Sequence, residues 1–164
     1  AGDLVNIDVS AELDGYFADT GGSAIIPPES QLHQQICVVA KRALESAMRE
    51  ARAGAKLNRI GYAIETEAVR NGFTVIENIG SHGVGRALHE APGFIAGFYD
   101  EHDKRILKKN QVITIEPFIS SGAREVVENG DGWTLVTKPG IFTAQYEHTI
   151  VITDGMPLIM TLPT

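Results

Sequence analysis

DLVNIDVSAELDGYFADT, residues 3–20, alternates apolar and polar side chains until it reaches Asp14-Gly15 and then resumes an extended pattern. A period of two is typical of a half-buried β-strand, and an Asp-Gly pair favours a two-residue hairpin turn. The stretch therefore predicts two antiparallel strands, over residues 3–13 and 16–20, so the chain starts almost inside a sheet.

The turn also sets the register of this hairpin. Counting outward from the two loop residues gives three pairs, Leu13 with Tyr16, Ser10 with Asp19, and Asp8 with Gly21. Asp8 and Asp19 then share one face as diagonal neighbours, with Cα atoms roughly 7–8 Å apart, close enough to converge on one ion or on an adjacent pair. Two solvated carboxylates on an exposed face are the alternative for the hairpin alone.

The opposite face of the first strand carries Val5, Ile7 and Val9. Because side chains alternate between the two faces of a strand, this apolar face can pack against helices while the aspartate face looks into a site.

The remaining pattern predicts an α+β domain. Pro27-Pro28-Glu29-Ser30 opens a helix that ends near Gly54, and a second helix, which carries Ile60, Ile64 and Val69, runs from near Asn58 to Asn71-Gly72. Residues 80–92, rich in glycine, are expected to form a loop. Strands are predicted over residues 73–79, 112–120, 124–128, 133–138, 145–153 and 157–162. We find no repeat or linker, so residues 1–164 are expected to form one domain.

Composition narrows the functional classes. The chain is 43% hydrophobic and 21% charged, which suits one globular domain, and no apolar run is long enough for a membrane span. The net charge of −7 argues against nucleic acid as a ligand. The N-terminus lacks the order of a signal peptide, and the single cysteine, Cys37, lies on a helical apolar stripe, so we expect a buried thiol and a cytoplasmic location.

Two glutamates interrupt strands that are otherwise apolar. Glu116 lies in VITIEPFI (112–119) and Glu147 in AQYEHTIVI (144–152), where Gln145 and Thr149 share its face. A buried unpaired carboxylate is costly unless it meets a cation or takes up a proton. Each glutamate alone could pair with lysine or arginine, but the two together with the aspartates favour a metal site.

Proline and histidine add to this pattern. Pro117 removes a ladder hydrogen bond, so the strand is expected to end or bulge beside Glu116. His82 and His89 are seven residues apart, which by itself matches no metal motif, and a lone loop histidine is usually structural. Beside four inward carboxylates, however, one imidazole ligand and one acid-base or oxyanion partner are reasonable assignments.

Charge arithmetic indicates two ions. Four carboxylates carry a charge of −4, which two divalent cations neutralise. Oxygen-rich ligation with one imidazole suits Mn, Fe, Co or Zn. Such a pair can hold a bridging hydroxide at neutral pH and clamp both reacting oxygens, which indicates hydrolysis.

Five ordered motifs now resemble a known family. They are NIDV with Asp8, YFADTG with Asp19, SHGVGRALHEAP with His82 and His89, TIEPF with Glu116, and AQYEHT with Glu147. From about Asp3 to Leu162 the chain resembles the type I methionine aminopeptidases, of the pita-bread (creatinase/aminopeptidase-like) fold. The resemblance implies removal of the initiator methionine from peptides and nascent proteins, with ribosome contact.

The same resemblance implies roles for individual residues. Asp8, Asp19, His82, Glu116 and Glu147 would be the metal ligands, and Glu116 would also shuttle protons. His89 would contact the substrate and stabilise the tetrahedral intermediate. Trp133, Leu88 and Gln145 would contribute to substrate binding, with Tyr16 and Phe17 as weaker neighbours.

Departures from the family pattern raise further expectations. Ser81 stands where glycine is common and Leu88 where an aromatic residue is frequent. The chain begins at Ala1, without the N-terminal segment of the family, so an incomplete fold is expected, with an exposed apolar patch on Val5, Ile7 and Val9 or on the long helix. A complementing chain or self-association would cover this patch.

Two alternatives to a methionine aminopeptidase remain for the function. They are a prolidase-like or aminopeptidase-P-like peptidase, and a catalytically silent pita-bread module that binds peptides or partners.

Overall fold

The computed structural model describes residues 1–162 and has the predicted α+β composition. Its elements, in chain order, are β1 (Leu4–Leu13), β2 (Tyr16–Ile25), α1 (Gln31–Glu50), α2 (Asn58–Arg70), β3 (Thr74–Val75), β4 (Ser81–Gly83), β5 (Glu90–Ile95), β6 (Val112–Ile115), β7 (Phe118–Ser120), β8 (Val127–Glu128), β9 (Leu135–Val136), β10 (Thr143–Val151) and β11 (Leu158–Ile159). The single-domain expectation for residues 1–164 stays a prediction, and residues 163 and 164 lie outside the described part.

The predicted hairpin register is confirmed. β1 and β2 pair antiparallel, with Ser10 opposite Asp19 and Asp8 opposite Gly21. Asp14 and Gly15 both have positive φ, 53° and 80°, which is the backbone twist that a two-residue hairpin turn requires. β2 continues to Ile25, five residues beyond its predicted end.

Within the described residues, nine strands form one sheet whose main path runs β1-β2-β10-β6-β4-β5. β10 lies between β2 and β6 and also pairs with β7 and β11. Strands that are distant in sequence therefore lie side by side, because β10 brings residues near 147 next to residues near 21 and near 115.

Helix α1 forms as its apolar spacing predicts. The Ser30 side chain caps it by accepting a hydrogen bond from the backbone N–H of His33 at 3.1 Å. One stripe of the helix is buried, and it comprises His33, Ile36, Cys37, Val39, Ala40, Ala43, Leu44, Ala47 and Met48. This stripe packs on β10 and α2, and Cys37 is buried as expected.

Helix α2 and several strands differ from expectation. Of the three apolar residues singled out on α2, Ile60 and Ile64 are buried, whereas Val69 is 60% exposed. Residues 80–92 contain β4 and the first three residues of β5, and His82 therefore lies on a strand, not in a loop. The predicted strands 73–79, 124–128, 133–138 and 157–162 each shrink to two residues. The expected interruption beside Glu116 is confirmed, since β6 ends at Ile115 and β7 begins at Phe118.

A side chain explains why strands 73–79 and 124–128 are short. The Asn78 amide donates to the carbonyl of Val126 at 2.7 Å and accepts from its N–H at 3.0 Å. An asparagine amide can replace the bonds of a backbone ladder in this way, so the segments stay connected without continuing as strands.

The apolar face of β1 is open to solvent. Val5, Ile7 and Val9 are 38%, 65% and 51% exposed, so the expectation that this face packs on the helices is wrong. Helix α1 packs on β10, β7, β2 and β6 instead. The expected exposed apolar patch is confirmed, whereas a chain that covers it stays a prediction. Among residues 1–162, no helix combines the length and apolar character that crossing a membrane requires.

Candidate metal centre

The five residues expected to bind metal lie together. Four of them lie on strands and the fifth directly follows the strand between them, namely Asp8 (β1), Asp19 (β2), Glu147 (β10), Glu116 (directly after β6) and His82 (β4). They form two groups of three, Asp19 with His82 and Glu147, and Asp8 with Glu116 and Glu147. In each group the ligand atoms lie within 4.8 Å of one another, and Glu147 belongs to both.

Hydrogen bonds from β10 hold the part of β2 that carries Asp19. The Asp19 backbone N–H donates to Thr149 Oγ1, and this hydroxyl donates to the Asp19 carbonyl, both at 2.8 Å. Ser10 Oγ donates to Asp19 Oδ1 at 3.0 Å. Because Thr149 follows Glu147 by two residues on the same face, this contact fixes the spacing between Asp19 and Glu147.

A second set of bonds holds Glu116 and His82. Thr114 Oγ1 accepts from the His82 backbone N–H at 3.1 Å and donates to Glu116 Oε1 at 2.9 Å. Ser81 Oγ accepts from the Glu116 backbone N–H at 2.9 Å. The interruption at Pro117 thus leaves no unpaired N–H at Glu116, because a buried side chain takes the place of the ladder.

The His82 ring is oriented for ligation. Its Nδ1 lies 3.0 Å from the Gly83 carbonyl oxygen, which can only accept, so the proton resides on Nδ1. Nε2 then presents its lone pair toward Glu116 Oε1 at 3.4 Å and Asp19 Oδ2 at 3.8 Å. Burial lowers the pKa of His82, which favours the neutral imidazole that binds metals.

The carboxylates resist ionisation in the absence of a cation. Burial, reinforced by neighbouring carboxylates, raises the pKa of Glu116 to about 8 and that of Glu147 to about 10. Burial and the charge of Asp19 also raise the pKa of Asp8. Like charges crowded in an apolar environment disfavour their own charged forms, and a bound cation reverses this preference.

One buried oxygen supports the fit of a cation. Glu147 is 1% exposed, and among the described residues its Oε1 has no hydrogen-bond partner. Buried polar atoms are nearly always paired, so an unpaired carboxylate oxygen shared by two groups of ligands fits a site for divalent cations.

The ligands open into a cavity of about 500 Å³. Its lining includes four of the five ligand residues and the apolar side chains of Ile79, Leu88, Phe94, Phe118 and Leu135. His89 also lines it, and its ring centroid lies 4.1 Å from that of His82. A larger cleft of about 720 Å³ lies by Glu77 and Arg124, whose side chains pair with each other, but its lining in the described chain includes none of the five ligand residues. Chemistry, not size, therefore identifies the candidate site.

The residues expected to bind substrate are placed differently from one another. Leu88 lines the cavity. Trp133 is 89% exposed, and the lining formed by residues 1–162 includes Leu135 from the same region but not Trp133. Gln145 is buried, with its amide on Asp8 and Glu147. Tyr16 is exposed and its hydroxyl accepts from Arg86, while Phe17 donates its backbone N–H to Gly85.

Sequence reasoning missed two supporting residues. Thr114 is fully buried between His82 and Glu116. It lies two residues before Glu116, and residues at this spacing in an extended segment point to the same side, so the sequence could have indicated its role. Asn6 lies two residues before Asp8 on β1 and so shares its face, and the Asn6 amide donates to Gln145 Oε1 at 2.8 Å.

Residues 1–154 match the model of metallopeptidase family M24, and the chain belongs to this family. The chain is 47% identical over 161 residues to methionine aminopeptidase 2 of Bacillus subtilis, covering 98% of this chain and 65% of that protein. A solved methionine aminopeptidase from Thermotoga maritima superposes with a TM-score of 0.93 at 34% identity, covering 99% of this chain and 65% of the other. The chain thus spans about 65% of the length of these relatives.

A more distant structure has the same fold. Prolidase from Pyrococcus furiosus superposes with a TM-score of 0.78 at 23% identity. The pita-bread fold expected from the sequence is confirmed.

Proposed function

We propose that the protein is a dinuclear-metal aminopeptidase that removes the N-terminal methionine from peptides and nascent proteins. The observation that carries the proposal is the pair of ligand groups that share Glu147, whose buried Oε1 has no other partner among the described residues. Four carboxylates and one neutral imidazole suit two divalent ions of Mn, Fe, Co or Zn. When bound, two such ions lower the pKa of water enough to supply a hydroxide nucleophile and polarise the substrate carbonyl.

Glu116 moves the proton in this proposal. Its Oε1 already accepts from Thr114 Oγ1, so Oε2 is the oxygen that takes and releases a proton. A glutamate carboxylate within reach of the reacting atoms can act as a general base and then as a general acid. His89 is exposed at the cavity wall beside His82, where its ring can donate to the developing oxyanion.

The apolar cavity wall receives the methionine side chain. Leu88, Phe94 and Phe118 offer a surface that suits an unbranched thioether, and methionine makes favourable contacts with aromatic rings. Trp133, exposed on the neighbouring segment, would complete the wall when substrate is bound. The relatives named methionine aminopeptidase, at 34–47% identity, support this substrate.

Metal binding and turnover test the proposal directly. The 164-residue chain, made metal-free with a chelator that is then removed, is titrated with Mn by calorimetry. Release of methionine from Met-Ala-Ser is measured with and without Mn. We expect two bound ions per chain and turnover only with metal. Binding without turnover of any peptide would instead support the silent module.

Two variants assign the roles. Glu116→Gln is expected to abolish turnover at saturating Mn while the fold persists, and Glu101→Gln, an exposed glutamate elsewhere, serves as its control. His89→Ala should lower kcat more than it weakens Mn binding, with the exposed His102→Ala as its control. Near-normal turnover of Glu116→Gln would refute the shuttle.

A prolidase-like specificity is the main alternative, because the fold is shared. The comparison of Met-Ala-Ser with a Met-Pro dipeptide separates the two, and preferential cleavage of Met-Pro would contradict our proposal. The identity to the Pyrococcus furiosus prolidase is 23%, against 47% to the Bacillus subtilis relative, which favours the methionine enzymes.

The apolar face of β1 is proposed to associate with another chain or with a second copy. Val5, Ile7 and Val9 are exposed there, and β1 is the outer strand of the sheet among those described. Light scattering after size-exclusion chromatography should show self-association, or the fluorescence of a hydrophobic dye should show binding to the exposed face. Ile7→Lys should reduce either signal. A monomer that binds no dye would contradict this association.

Contact with the ribosome is proposed only because the enzyme would act on nascent chains in the cytoplasm. Binding of the chain to purified ribosomes tests this contact.

A further inference from the structure

The amide of Gln145 lies between the metal-site carboxylates and a second amide. Its Nε2 donates to Asp8 Oδ2 and to Glu147 Oε2, each at 3.2 Å. Its Oε1 accepts from Asn6 Nδ2 at 2.8 Å. Gln145 is 3% exposed, so both ends of its amide are committed inside the protein.

The orientation of the Asn6 amide is fixed by its neighbours. Its Nδ2 faces the side-chain and main-chain carbonyl oxygens of Gln145 and also Ser23 Oγ, at 2.8, 3.2 and 3.2 Å. The main-chain carbonyl of Gln145 can only accept, and Ser23 Oγ already donates its one proton to that carbonyl at 3.0 Å, so a flipped Asn6 would place its own oxygen against two acceptors. Because Asn6 must present its NH₂ group, Gln145 must present oxygen to Asn6 and its NH₂ group to the carboxylates.

The main chain and a glycine hold Gln145 in this place. Ser23 Oγ donates to the Gln145 carbonyl and accepts from its N–H, both at 3.0 Å. The Gln145 amide packs on Gly21, where an added Cβ would lie 2.5 Å from Oε1. The main chain of Gln145 is therefore fixed on β2, and its amide has no room to move closer to Gly21.

We infer that Asn6 and Gln145 form a positioning pair for the proposed metal centre, in which Asn6 sets the orientation of the Gln145 amide and Gln145 holds one oxygen of Asp8 and one of Glu147. The other oxygen of Glu147, Oε1, is left for the cations. Residues behind metal ligands set ligand geometry, and their loss commonly weakens metal binding about 10–100-fold. Gln145 thus acts through the carboxylates and not by touching substrate, which differs from the role expected from the sequence. The inference rests on the proposed metal centre.

Asn6→Asp is the sharpest test, because it keeps the shape and replaces the NH₂ group by an acceptor. Asn6 is exposed, so the fold should tolerate the change. An added negative charge alone would strengthen cation binding, whereas a positioning role predicts binding weakened at least about tenfold. Asn71→Asp, the same change at an exposed helix end, is the matched control for Mn affinity and for the cobalt spectrum. The readouts are Mn affinity by calorimetry, the visible absorption spectrum of the cobalt-loaded protein, and the unfolding midpoint in chelator.

A double-mutant cycle then tests the order of action. Gln145→Met should weaken Mn binding, and Asn6→Ala should weaken it in the wild-type background but add little in Gln145→Met, since Asn6 acts through Gln145. Altered cobalt spectra with unchanged midpoints in chelator support positioning. Wild-type Mn affinity and cobalt spectrum in Asn6→Asp, or full additivity in the cycle, would overturn the inference. Failure of the wild-type chain to bind Mn would overturn the proposed function itself and this inference with it.

Discussion

Removal of divalent cations should destabilise the protein increasingly as the pH rises from 5 to 8. Glu116 has its pKa raised by burial from 4.5 to about 8. Between these values the unfolded chain has released a proton that the folded chain still binds, so the free energy of unfolding falls as pH rises. Below the unfolded pKa both states are protonated and the penalty is absent. Bound cations pair with the carboxylates and should abolish the effect.

The size of the effect follows from the shift of Glu116. One pKa unit corresponds to about 1.36 kcal/mol, so the shift from 4.5 to about 8 corresponds to about 5 kcal/mol at pH 8. Glu147 and Asp8 contribute to the same penalty, but their shifts arise partly from one another and do not simply add. About 5 kcal/mol is a large part of the 5–15 kcal/mol that stabilises an ordinary domain. For a chain of this length it lowers Tm by roughly 10–20 °C.

Thermal unfolding at pH 5.0, 6.5 and 8.0, in chelator and in Mn, measures this directly. We expect Tm in chelator to fall steeply with pH while Tm in Mn changes little. Glu116→Gln removes one titrating carboxyl, so its Tm in chelator should fall less. An unchanged or rising Tm of the chelated wild-type chain between pH 5 and 8 would refute the reasoning, because it would mean that the carboxylates ionise without a cation.

Two local predictions follow from packing and capping. Gly21→Ala places a Cβ 2.5 Å from Gln145 Oε1, so it should destabilise the fold by about 1–3 kcal/mol and weaken Mn binding, whereas Gly155→Ala, with open space around it, should do neither. Urea unfolding and calorimetry measure both effects, and normal Mn affinity in Gly21→Ala would contradict the close packing. Ser30→Ala removes the N-cap of α1 and should cost about 1 kcal/mol in urea unfolding, while Ser46→Ala in the same helix should cost nothing. Equal stability of the two serine variants would argue against the cap.

Local signals predicted the first third of the fold well. Asp14-Gly15 determines a turn with two positive φ values, and this turn sets a register that then carries through the hairpin to Asp8. The long helix was equally predictable, because its apolar residues recur at helical spacing over five turns and Ser30 provides a cap. In both cases the determining contacts are between residues close in sequence.

Short strands and their partners were not predictable in the same way. β4 has three residues and lies in a glycine-rich segment whose pattern indicates a loop. It becomes a strand because its Gly83 pairs with Ile113 of β6 and with Glu90 of β5. The converse holds at Asn78, where a side chain substitutes for the ladder and shortens strands that the pattern extends. The exposure of Val5, Ile7 and Val9 also depends on where the helices pack, and not on the alternation of the strand itself.

The amino-acid sequence by itself determined the chemistry of the candidate site: four carboxylates and one imidazole, of which Glu116 and Glu147 lie in strands too apolar to hold a carboxylate without a partner. The tertiary structure alone decided the grouping. β10 inserts between β2 and β6, so Glu147 joins both groups of ligands, and the same insertion brings Gln145 between Asn6 and the carboxylates. The physical reason is that strand order is set by pairing between residues far apart in the chain, such as Glu147 with Gly21 and His148 with Ile115, and no spacing along the chain records which strands become neighbours.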